Sequence, residues 1–215
     1  MSGLTDYAQN KVTDALWRGQ ALGAPATLYF GLICASKGVR ANSTAYALND
    51  TIIVLIGGKY QLYKCTTAGT SAAAQPGTYV GAVSEAITDG TAVFTEQSAA
   101  LDAGTYAEVS TSSTGYARVG VATSLANFAG TQGAGTTVAS SGTNGSTSNN
   151  VAIPFGTPTA QWHPTGGLIV GVVAFDAAAG GNPWWWGMLA AGKNVNSGDS
   201  APSIAAGALT SQIGA

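Results

Sequence analysis

Five carboxylates fall between residues 85 and 108, Glu85, Asp89, Glu96, Asp102 and Glu108, with no Lys or Arg among them. Two acids placed across a sugar bond can cleave it, one as proton donor and the other as base or nucleophile. A closer grouping can hold a cation. Without either geometry the same residues form a solvated acidic rim on a small module. The single histidine, His163 in QWHPTGG, has no acid near it in sequence, which suits a structural or solvent-exposed role better than general-base work. Cys34 and Cys65 each lie inside a strand-like run, match no metal spacing, and have no helix start to lower their pKa, so they read as two buried free thiols. No serine stands in Gly-x-Ser-x-Gly, and phosphate loops and zinc patterns are absent. Asp176 and Asp199 sit in turns, where a carboxylate accepting backbone hydrogen bonds holds the loop. The sequence therefore supports no catalytic residue, no metal site and no cofactor, and the expectation is a non-enzyme.

The other chemistry-bearing group is aromatic. GNPWWWGML, residues 181–189, places Trp184, Trp185 and Trp186 in succession behind a Gly-Gly-Asn-Pro turn. On a strand Trp184 and Trp186 point one way and Trp185 the other, so at least one indole must face a second layer, a neighbouring subunit or a flat ligand. Packing and an interface between subunits are the favoured uses, since aromatics concentrate at interface centres.

The elements that carry these residues read mostly as strands. Of 215 residues 46% are apolar, enough for a substantial core, while 30 glycines and abundant Ala, Ser and Thr point to many short strands joined by tight turns. Ten acids against eight bases give a net charge of −2, no electrostatic basis for binding nucleic acid or anionic lipid. No stretch is apolar enough for export or for spanning a bilayer, so a soluble chain made in a cytoplasm is expected. The glycosylation-type triplets at Asn42 and Asn144 then read as loop residues.

Residues 4–18 place Leu4, Tyr7, Ala8, Val12, Ala15 and Leu16 on one helical face. ATLYFGLICAS, 26–36, reads as a central strand apolar on both faces. TIIVLI and KYQLYKCT flank Gly57-Gly58 as a two-residue hairpin, and Asp89-Gly90 introduces TAVFTE. These three strands mark a small inserted β module at 43–98, whose ends should lie close enough for the body to fold without it. The body, 1–42 and 99–215, continues with TYAEVS and TGYARVGVAT as a hairpin candidate, then VAIPF, GLIVGVVAFDA, PWWWGML and SIAAGALTSQI. Residues 129–150 carry no charge and one large apolar side chain, Val138, and read as a polar surface loop or an adaptable contact surface. About eight body strands suffice for two packed antiparallel sheets. The expected fold is all-β, a jelly-roll-like antiparallel sandwich with an amino-terminal helix and the inserted module.

Two stretches resemble known proteins. PATLYFGL, TGYARVGV at 114–121, GVVAFDAAAGGNPWWWGML at 171–189 and KNVNSGDSAPSIAAGALT at 193–210 resemble, in this order, a family of small tail-fibre-like virion proteins of tailed phages and prophages. YALNDTIIV, KYQLYKCTTAGTS and ITDGTAVF, within 43–98, are similar to a small β module of phage structural proteins. The first resemblance implies a structural component of the virion, a tail fibre or tail-associated protein in host attachment, self-assembled as a homotrimer against other virion proteins. A capsid decoration protein is the alternative. The second implies a host glycan as a further partner, with Tyr60, Tyr63, Tyr79 and Phe94 as stacking platforms. An isolated sugar-binding or sugar-cleaving module is the reading from a different class.

Overall fold

The computed structural model describes residues 2–143 and 145–212; Asn144 and Ile213, the end of the last expected strand, lie outside them. In chain order the elements are β1 (Ser2–Leu4), α1 (Asp6–Trp17), β2 (Thr27–Ala35), β3 (Ala45–Tyr46), β4 (Thr51–Ile56), β5 (Lys59–Thr67), β6 (Gly69–Thr70), β7 (Ala86–Asp89) and β8 (Ala92–Glu96). They continue with α2 (Ser98–Asp102), β9 (Val119–Ala122), β10 (Ser146–Ser148), β11 (Ile153–Pro154), β12 (Leu168–Phe175), β13 (Pro183–Lys193), β14 (Ser203–Ile204) and β15 (Thr210–Gln212). The fold is all-β, with antiparallel sheets and one helix longer than two turns. Among the described residues no helix is long and apolar enough to cross a membrane.

A five-stranded sheet in the order β1-β13-β12-β2-β9 forms the centre. Its middle strands are apolar on both faces because both faces are covered. Along β2 the period of two sends Phe30, Leu32 and Cys34 to one core cluster, and Ile33 and Ala35 to another. Gly31, between them, passes so close to the Glu108 carboxylate that a Cβ there would lie 2.7 Å from its Oε1. Any side chain would displace that acid.

One face is covered by the inserted strands. β4, β5, β8 and β7 form a four-stranded antiparallel sheet, in which Gly57 and Gly58, at φ 55° and 79°, make the two-residue turn of the β4–β5 hairpin. Its alternation is two-sided. Ile53 and Leu62 enter the cluster of Ile33, Val170, Val173, Phe175 and Trp186 on the central sheet, joined by Leu101 of α2. Ile52, Val54, Tyr63 and Cys65 face away, into a separate cluster with Tyr46, Tyr79, Ile87 and Phe94. β7 is an additional strand that the sequence reading leaves in a loop: Ile87 and Asp89 are buried, while Ala86 and Thr88 are exposed.

The other face has no second sheet. Val109, Tyr116, Phe155, Trp162 and Val195, all from connecting segments, cover Phe30, Leu32, Ile169 and Val172, together with two short ribbons, β10–β15 and β11–β14. The body is thus not a pair of sheets of its own, and a jelly roll does not describe it. TYAEVS contributes one bridging residue, Glu108 opposite Ile33, and β9 pairs with β2. The expected hairpin between TYAEVS and TGYARVGVAT does not form, because the backbone of both segments pairs with β2 instead: Cys34 N–H donates to the Ala107 carbonyl, Val109 N–H donates to the Leu32 carbonyl, and β9 lies along Thr27–Phe30.

Helix α1 starts at an N-cap: the Thr5 side chain accepts from Ala8 N–H at 3.4 Å and its hydroxyl donates to the Pro183 carbonyl. The expected apolar face packs only in part. Ala8 is the helix's one buried residue, and Leu16 is 72% exposed.

Candidate functional site

The five clustered acids are not a solvated rim: each accepts hydrogen bonds from elsewhere in the protein. Asp89 is fully buried and accepts from Arg40 through Nε (2.7 Å) and Nη2 (2.8 Å), from Ala72 N–H and from the Tyr79 hydroxyl. Burial would raise its carboxyl, but these four donors outweigh that and hold it below the ordinary carboxylate range. The same bond raises Arg40 further. Glu85 caps the turn at Val80, Gly81 and Ala82 and accepts from Tyr63; burial opposes its charge, and these donors again lower it. Glu96 accepts from Ser84 N–H and from both Ser98 N–H and hydroxyl. Asp102 accepts from Trp186 Nε1 at 2.7 Å. Glu108 accepts from Tyr116 and, at both oxygens, from Arg118, whose guanidinium lies 3.2 Å over the Phe175 ring. Each acid ties two segments together: Asp102 joins α2 to β13, and Glu108 joins its own segment to that of Tyr116 and Arg118. The reading of a solvated rim is corrected by burial of Asp89 and Glu96, and the reading of a cation site finds no group of three ligating side chains among the described residues.

The thiols are free and buried. Burial, helped by the charge of Glu108, pushes Cys34 up to about 12, and its Sγ donates to the Trp162 carbonyl. Burial also raises Cys65. His163 is buried rather than exposed, its Nδ1 3.0 Å from the Pro164 carbonyl and 2.9 Å from the Gln161 amide. Asp176 and Asp199 hold turns: Asp176 accepts from Asn182 backbone and side chain, Asp199 from Asn196 N–H.

Of the four sugar-platform residues, Tyr63 and Phe94 have no exposed surface and Tyr79 has 5%. Their rings meet edge-on, Tyr63 with Tyr79 at 4.9 Å and Phe94 with Tyr46 at 5.2 Å, and form the interior of the inserted sheet. Tyr60 is half-buried and lines a cleft of about 380 Å³ with Lys59, Trp185 and Thr210.

The tryptophan run is divided among three surroundings. Trp186 is buried against the inserted sheet. Trp185 is half-buried on the opposite face. Simple alternation would return Trp184 to the side of Trp186, but the register slips between Ala174 opposite Trp185 and Phe175 opposite Pro183. This bulge re-aims Trp184, which meets Tyr7 of α1 edge-on at 5.5 Å and, with Trp185, borders an apolar hollow.

That hollow, about 300 Å³, is lined mainly by apolar side chains, among them Leu4, Pro25, Leu28, Phe30, Phe128 and Leu209 besides the two indoles. It lies on the face covered by connecting segments, and no charged residue borders it. The sequence reading does not find it, because its lining comes from seven separate segments. Nor does it single out Trp17, which is 83% exposed at the end of α1. The signal was present: at 3.6 residues per turn Trp17, nine positions on, lies opposite Ala8.

No curated protein matches the chain. Residues 59–212, from the first residue of β5 through to the end of β15, match the family described as podophage GP4 fiber I protein gp80. The matched range contains β5, β7 and β8 of the inserted sheet and β9, β12 and β13 of the central sheet, and it includes the segments 114–121, 171–189 and 193–210. The chain belongs to this family of phage fibre proteins, structural components of the virion.

Proposed function

We propose that the protein is a tail-fibre or tail-associated component that helps attach the phage particle to its host, assembled as a homotrimer alongside other virion proteins. The observation that carries this reading is the fibre-family match over residues 59–212. The role asked of the chain is mechanical and adhesive, and its acids suit it: all five carboxylates of residues 85–108 are engaged in hydrogen bonds within the protein. Any contact with host glycan then falls to exposed loops and to Tyr60, since Tyr63, Tyr79 and Phe94 are interior.

Labelled antibody against the purified chain, imaged on intact particles, tests the placement. Label on the tail supports the proposal, whereas label distributed over the capsid replaces it with a decoration role.

A further inference from the structure

The chain carries an apolar knob and an apolar hollow that do not meet. Trp17 and Leu16, on the last turn of α1, are 83% and 72% exposed. The hollow at Leu28, Phe30, Phe128 and Trp185, about 300 Å³ with no charged lining, has room for an indole. We infer that the hollow is the seat of Trp17 from a second copy of this chain, an inference that rests on the reading of the protein as a self-assembling fibre component.

Helix geometry selects the second copy over the chain's own Trp17. The start of α1 is fixed beside the hollow: Leu4 lines it, Thr5 N–H donates to the Trp184 carbonyl, and Tyr7 packs on Trp184. From there α1 is a rod of about 18 Å, so its last turn stands a helix length from the hollow that its first turn borders. Residues 18–24, which lead back to Pro25, are all exposed and contain no helix or strand. Closing Trp17 into its own hollow would require melting the helix, whereas a neighbour can present the same turn intact.

Knob and hollow are different surfaces, so the contact is either exchanged reciprocally within a two-fold pair or runs head-to-tail into a ring or filament. One tryptophan buries about 150–250 Å², far short of the ~1,200 Å² of a stable pair, so the knob is the anchor of a larger contact. In any closed assembly every copy gives one knob and receives one.

The test uses the full chain. Trp17→Ser removes the knob, and Ser211→Phe fills the hollow, whose wall includes Ser211. Each variant alone should keep the cooperative unfolding of the parent and associate roughly 30-fold or more weakly, the loss expected for a central aromatic contact. Mixed in equal amounts the two should form a pair and stop there, since only one knob and one hollow remain. Trp17→Ser chains with undiminished assembly would overturn the inference while leaving self-assembly intact. A monomeric parent at micromolar concentration would overturn both. Oxidising an Arg18→Cys, Ser211→Cys double variant, which keeps the Trp17 knob, adds a check on the occupant: disulfide-linked multimers support the second copy, and a bond closed within one chain contradicts it.

Discussion

The two faces of the central sheet are covered in opposite ways. On one, Ile53 and Leu62 of a four-stranded sheet, paired across β4 and β5, meet Ile33, Val170 and Val173 of the central sheet. On the other, Val109, Tyr116, Phe155, Trp162 and Val195 arrive singly from connecting segments, and the layer is fixed by side-chain hydrogen bonds. Asn149 illustrates it, donating to the Val151 and Ala205 carbonyls and accepting from Leu209 N–H at 2.9 Å. A sheet fills its partner's face by periodicity. Loops fill it residue by residue, and here they leave the apolar hollow beside Trp185. The regular layer closes its face, and the irregular one leaves apolar surface uncovered.

Removing the regular layer should have the largest effect. Deleting residues 43–98 uncovers Phe175 and Trp186 as well as Ile33, Val170 and Val173, and thermal unfolding of the remaining body should lose its cooperative transition. A body that still melted sharply would restore the expectation of a dispensable insertion.

Next comes the buried ion pair that ties the entry of the insertion to β7. Arg40 and Asp89 have side chains 2% and 0% exposed, so Asp89→Ala strands a buried guanidinium and should cost about 3–5 kcal/mol by denaturant unfolding. The sign with pH follows from the lowered carboxyl. Its stabilisation is present above the ordinary carboxylate value of 3.8 and is lost as pH falls through the lower folded value, so the parent should lose stability more steeply below about pH 4 than Asp89→Asn. Identical acid profiles for the two would remove Asp89 from the account.

The smallest effect separates the two faces within the tryptophan run. Trp186→Ala deletes a ring that is 2% exposed and bonded to Asp102, and should cost about 3–5 kcal/mol. Trp185→Ala, beside the hollow, should cost less than half of that. Equal losses would mean that both faces are packed alike.

Much of this contrast was legible in the sequence, and the failures have one cause. Strands apolar on both faces, β2 and β12, and the Gly57-Gly58 hairpin follow from local pattern, as does the all-β class. What escaped depends on partners distant in sequence. The acids between 85 and 108 look like a surface cluster because their donors, Arg40, Tyr63, Arg118 and Trp186, lie up to 84 residues away. Ile53 and Leu62 were legible as buried but not as buried against the body. The bulge that re-aims Trp184 has no residue signature, since Trp-Trp-Trp alternates equally well in any register. Trp17 was overlooked because amphipathicity draws attention to the covered face of a helix, not to an apolar residue opposite it.

The central claim is that the inserted sheet and the body form one cooperative structure, and neighbouring isoleucines on β4 test it. Neither Ile52 nor Ile53 has exposed surface; Ile52 belongs to the insertion's own cluster and Ile53 to the layer shared with the body. All five tryptophans lie outside residues 43–98, but Trp186 packs on the inserted sheet, so both changes are made in a Trp186→Phe background, where the remaining fluorescence reports chiefly the body. Each Ile→Ala change should cost about 2–5 kcal/mol. The account predicts that Ile52→Ala lowers the tryptophan-detected midpoint by as much as Ile53→Ala does, in a single transition that coincides with the calorimetric one. An Ile52→Ala variant whose insertion melts early in calorimetry while the tryptophan midpoint stays in place would contradict it.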